Sequence, residues 1–129
     1  RFYVYDPERD SVLSSGLVTH GYGNASQQSV QFSNVPGSNC TSIGHYKIGN
    51  AYYGRFGLAF KLHGFDKTNS NALNRFVVLH SHACVPDSSV YPSDICMSQG
   101  CPTVSPAYLQ TLKSYIDRSA KPVLLYIFY

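Results

Sequence analysis

Apolar and polar residues change places along this chain in short blocks that fit strands better than helices. From Leu58 to His63 the large apolar residues Leu58, Phe60 and Leu62 recur at every second position, the pattern of a strand with one buried and one wet face. Residues 2–5 and 11–19 carry β-branched and aromatic side chains on either side of Asp6-Pro7-Glu8-Arg9-Asp10, which predicts a hairpin. Residues 41–48 fit another strand, and residues 123–128, behind Pro122, fit a last one. The run 75–80 differs: Phe76, Val77, Val78 and Leu79 are apolar without a break, which predicts a central strand buried on both faces. A helical period shows once. Tyr108, Leu109, Leu112, Tyr115 and Ile116 share one face, behind Ser105 as N-cap and Pro106 at the first helical position. Residues 66–74 form a polar connection, while 21–37 and 82–100, rich in Gly, Ser, Asn or Pro, read as long loops. Long loops inside a compact domain are more often functional than idle.

The expected fold is therefore mainly β, a β-rich α+β arrangement of mixed sheets with about six strands and one C-terminal helix. No repeat, linker or composition break divides the chain, so one domain is expected over residues 1–129. That length suffices for a core without staples. Hydrophobic residues make up 43% and charged residues 13%, which excludes a disordered chain. Eleven tyrosines and seven phenylalanines without tryptophan suit β structure and a cleft with amphipathic walls. The net charge of +3 comes from scattered basic residues, so a nucleic-acid partner is not expected. No stretch approaches the roughly 20 apolar residues of a membrane span. Arg1 leads straight into strand-like residues, as in chains whose export signal has been removed.

The chemistry concentrates in Ser98-Gln99-Gly100-Cys101-Pro102. Gly100 permits a positive φ and a close substrate approach, and Pro102 stiffens the chain just past the thiol. Upstream, the run 75–80 ends in His80, followed by Ser81 and His82. A cysteine on a turn with a histidine held at a strand end is a candidate acyl-transfer pair. A free thiol titrates near 8.5, and a neighbouring imidazolium would lower that value. Two other fates are open to the thiol. Cys101 can be a structural cysteine, or His80, His82 and Cys84 can form a zinc set with Cys96 or Cys101, although no tight second ligand pair supports it. A Cys84–Cys96 disulfide would contribute roughly 3 kcal/mol by loop closure, with Cys40 open as an alternative partner for either. His20, His45 and His63 sit in surface-like contexts.

Three blocks resemble the L,D-transpeptidase catalytic domain, in its YkuD-like murein branch. They are Phe32-Ser33-Asn34-Val35-Pro36-Gly37-Ser38 with Ser42-Ile43-Gly44; Tyr53-Gly54-Arg55-Phe56-Gly57-Leu58; and Arg75-Phe76-Val77-Val78-Leu79-His80 with Ser98-Gln99-Gly100-Cys101-Pro102. The resemblance implies a YkuD-like fold and a periplasmic or cell-envelope location, with peptidoglycan stem peptides as substrates, no cofactor, and acylation by carbapenem-type β-lactams. It makes Cys101 the nucleophile and His80 its base, oriented by the Ser81 carbonyl, with an oxyanion hole from the Gly100 and Cys101 amides. His82, Ser98, Gln99, Tyr53, Arg55 and Asn34 would line or support the substrate groove; turn roles for Tyr53 and Asn34 are the competing reading. The sequence departs from the branch at Ser81, where glycine is usual, and at Gln99, where an aromatic residue or histidine is common. It also has Met97 in place of an arginine that could hold a substrate carboxylate. The activity implied is thioester-mediated cross-linking. A carboxypeptidase or endopeptidase on the same scaffold and a non-catalytic, possibly zinc-stabilised wall-binding module are the alternatives.

Overall fold

The computed structural model describes residues 1–24 and 29–129; four positions of the expected loop 21–37, residues 25–28, lie outside the described residues. Strands β1 (Phe2–Asp6) and β2 (Ser11–Gly16) form the expected antiparallel hairpin. A six-stranded sheet follows, from β3 (Val18–Thr19), β4 (Gly44–Gly54), β5 (Gly57–Gly64), β6 (Val78–Ser81), β7 (Thr103–Val104) and β8 (Leu124–Ile127). Its order is β3-β7-β6-β5-β4-β8, and every neighbouring pair is antiparallel except β6 with β7. The eight strands exceed the expected six because the run 11–19 divides at Leu17 and the two-residue β7 is too short to show a period.

One face of the sheet carries Tyr46, Phe60, Leu62, Leu79 and Ile127, all buried. Alternation puts them on the same side, where each large side chain contributes about 1.5–3 kcal/mol by leaving water. Helix α1 (Pro106–Arg118) packs Leu109 and Leu112 into this core. Its N-terminus is set as the sequence predicts: the Tyr108 N–H donates to Ser105 Oγ at 3.1 Å.

The run 75–80 is not a strand throughout. β6 begins only at Val78, and Phe76 sits at φ 57 with 80% of its surface exposed. The Phe76 N–H donates to Leu73 O and the Val77 N–H to Ala72 O, so the turns of the preceding polar connection continue into the apolar run. A bulky side chain in the left-handed region is a strained arrangement that persists only when its surroundings enforce it. Strand β4, by contrast, runs further than expected: it continues to Gly54 and turns through Arg55-Phe56 into β5, with Gly57 at φ 82. That hairpin tip reaches the centre described next.

Candidate active site

Cys101 arrives on an irregular segment that is tied down at several points. Gly100 stands at φ 125, which L side chains rarely adopt, and an added Cβ would lie 3.0 Å from Cys40 O. The Ser98 N–H donates to His20 O at 2.9 Å, and the Tyr22 N–H donates to Ser98 O at 2.8 Å. Thr19 Oγ1 donates to Cys96 O at 2.5 Å. Cys84 and Cys96 are joined in a disulfide, leaving Cys40 and Cys101 as the free cysteines. Of the pairings open at the sequence level, the one without Cys40 forms. It also removes both thiolates of this loop from any zinc set with His80 and His82.

The Cys101 sulfur is half-buried where β6 begins. It donates to Phe76 O and accepts from the Val78 N–H, each at 3.5 Å. Burial pushes the thiol above its ordinary value, while the Val78 N–H and the Arg75 guanidinium pull partly back. This reverses the expected lowering: what surrounds the sulfur is chiefly dry, and the histidine nearby is uncharged. Arg75 is itself a clamp, donating to Ser33 O, Ser42 Oγ, Ser38 Oγ and Cys40 O.

His80 is buried in β6, opposite Thr103 of β7 and Ala59 of β5. Its Nδ1 lies 3.0 Å from Ser81 O. A carbonyl only accepts, so Nδ1 carries a proton and Nε2 of the neutral ring holds the lone pair. Nε2 lies 3.2 Å from Thr103 Oγ1. The ring stacks on Phe56 of the β4–β5 tip, 4.8 Å between centroids and 11° between planes. Burial holds the imidazole below its ordinary pKa, with the Ser81 carbonyl raising it and His82 lowering it further. Near neutral pH the two groups are thus an uncharged thiol and an uncharged imidazole. Both open into a cavity of about 390 Å³ whose walls include Phe56, Phe76, His82, Ser98, Gln99 and Thr103. A second cavity of about 360 Å³ adjoins it, sharing Arg75 and Gln99.

The L,D-transpeptidase catalytic domain family matches residues 1–128. The chain belongs to that family. No curated protein and no solved structure matches it significantly. The curled six-stranded mixed sheet with one C-terminal helix is consistent with the YkuD-like fold.

Within this L,D-transpeptidase domain the residues singled out from sequence separate into two groups. Cys101, His80, His82, Ser98 and Gln99 meet at one cavity. Ser98 Oγ donates to Cys101 O at 2.6 Å, and the His82 Nδ1 accepts from the Cys84 N–H at 3.1 Å, so both side chains brace the loop. The Gly100 N–H donates to Ser98 Oγ at 3.2 Å. The turn therefore spends one donor of the expected oxyanion pair on its own serine and leaves the Cys101 N–H as the other. Tyr53, Arg55 and Asn34 do not line the cavity. Tyr53 is 82% exposed on β4, and the Arg55 guanidinium lies over the Phe56 ring, 5.4 Å from its centroid. Asn34 donates to Lys67 O and Ser70 Oγ and accepts from the Asn71 N–H, which ties two loops together. His20, expected at the surface, is half-buried against Phe32 with Nδ1 3.3 Å from Thr41 Oγ1, and burial pushes it down to about 4. Sequence reasoning missed Phe56, Phe76, Arg75 and Thr103. Phe56, Arg75 and Phe76 carried a signal, since each stands in a block that resembles the family; Thr103 carried none.

Proposed function

We propose that this domain is a cysteine acyl transferase of the L,D type that acts on peptidoglycan stem peptides in the cell envelope. The observation that carries this reading is a free, half-buried thiol opening into the same cavity as a neutral imidazole whose tautomer is set by the next residue's carbonyl. Cys101 gives its thiol proton to His80 Nε2 and releases Phe76 O. Its sulfur attacks the carbonyl that joins an L-centre to the following residue. The negative charge on the former carbonyl oxygen is held by the Cys101 N–H, the donor the turn leaves open; one such donor is worth about 2.7–4 kcal/mol. The C–N bond breaks, the His80 proton passes to the leaving amine, and a thioester remains. An amine of a second stem peptide then displaces the sulfur and regenerates the thiol. None of these steps calls for a cofactor. The disulfide suits an oxidising compartment, and among the described residues no helix is long and apolar enough to cross a membrane. Acylation by carbapenem-type β-lactams follows from the same nucleophile.

Incubation with a stem tetrapeptide, with and without an acceptor amine, tests the reading by mass spectrometry. The expected result is loss of the terminal residue together with an amide-linked product, both absent in Cys101→Ala. Activity retained by that variant would contradict the assignment. Release of the terminal residue with no linked product at any amine concentration would make the domain a carboxypeptidase instead.

A further inference from the structure

Thr103 has a use for each protonation state of the histidine. The residue is 98% buried, and its hydroxyl has one proton and two candidate acceptors: His80 Nε2 at 3.2 Å and Cys101 O at 3.1 Å. The Cys101 carbonyl already accepts from Ser98 Oγ, whereas Nε2 of the neutral ring has no proton of its own to give. With the ring neutral, the hydroxyl proton therefore points to Nε2. Once a proton sits on Nε2, that N–H needs an acceptor. The hydroxyl can turn its proton to Cys101 O and offer a lone pair. Nε2, Oγ1 and the Cys101 carbonyl are each matched in both states.

We propose that Thr103 is a positioning residue that fixes the His80 ring and favours its protonated form through this reversible hydrogen-bond chain from Nε2 through Oγ1 to the Cys101 carbonyl. Bonds to a charged donor are roughly twice as strong as neutral ones, so the chain holds the imidazolium more tightly than the imidazole; the hydroxyl turns its proton to the Cys101 carbonyl as the thiol proton arrives, which frees the Nε2 lone pair to take it. The parallel pairing of β6 with β7 supplies the geometry by placing Thr103 directly beside His80. Few other groups compete. β5 offers Ala59 as the backbone partner of His80, the hairpin tip offers Phe56 with the Arg55 guanidinium 5.4 Å from its centroid, and among the described residues the other titratable or charged groups lining the cavity are His82, Cys101 and Arg75.

The inference rests on the acyl-transfer reading for its purpose, but its test does not. The His80 ring pKa is followed by NMR in the unaltered chain, in Thr103→Val and in Thr103→Ser, alongside the rate of alkylation of Cys101 by iodoacetamide as a function of pH. Thr103→Val should lower the His80 pKa by about half to one unit and slow alkylation at neutral pH several-fold. Thr103→Ser, which keeps the hydroxyl, should restore both. An unchanged His80 pKa in a folded Thr103→Val chain would overturn the proposal, as would a Thr103→Ser chain that behaves like the valine variant. If the His80 pKa moves as expected but the alkylation profile of the unaltered chain shows no trace of that titration, the pairing of Cys101 with His80 fails and the Thr103 contact stands.

Discussion

The base and the thiol open into one cavity but are held by different kinds of structure. His80 belongs to a hydrogen-bonded ladder, with Ala59 on one side and Thr103 on the other, and its ring is fixed by Ser81 O, Thr103 Oγ1 and the face of Phe56. Cys101 rides on a segment without regular structure. That segment is tied by a disulfide, by two backbone bonds to residues 20–22, and by the bond from Thr19 to Cys96 O. Even its sulfur contacts are irregular, since they come from the bend at Phe76 and Val78. Under the proposed reaction the difference teaches a division of labour: a base needs one orientation, which a ladder gives, while a nucleophile must leave one set of contacts for another, which a tethered loop permits.

If that division is right, damage to the tethers should move the thiol and spare the base. The largest effect is expected from removing the disulfide. Cys84→Ser with Cys96→Ser should cost roughly 3 kcal/mol by the loop-closure estimate, read as a lower denaturation midpoint. It should alter the alkylation rate of Cys101 while the His80 ring signals stay in place. A shifted His80 pKa in that variant would show that base and loop are one unit.

Much of the framework was legible before any coordinates. The hairpin, the alternating strand β5 and the capped helix α1 follow from periods and cap residues that act over a few positions. The Cys101 turn and the strand-end His80 were legible for the same reason, because a glycine before a cysteine and an apolar run before a histidine are local patterns. Phe76 was not. Its neighbours are as apolar as a buried strand, and only the capture of the Phe76 and Val77 amides by Leu73 O and Ala72 O turns the ring outward. Thr103 escaped notice because its role is created by a parallel pairing with a strand more than twenty positions away, and a two-residue strand carries no period. Asn34 drew attention for its block and proved to be a tie between loops.

A smaller test uses acidity. His20 supplies the carbonyl that holds Ser98, and its half-buried ring is pushed from 6.5 down to about 4 by burial, with the N-terminal charge adding to the effect. The folded chain therefore resists a proton that the unfolded chain accepts. The resulting stability is fully present above about pH 6.5, declines as pH falls toward about 4, and declines no further below that. The loss should be at most about 2 kcal/mol for a partly exposed ring. Thermal melts of the unaltered chain and of His20→Gln across that range should converge at low pH. Parallel curves would assign the acid sensitivity to other groups.

The most direct test of the nucleophile is intact-mass analysis followed by peptide mapping after exposure to a carbapenem. The account predicts a single covalent adduct on the peptide containing Cys101, with Cys40 unmodified. An unmodified chain, or an adduct on Cys40 alone, would contradict it.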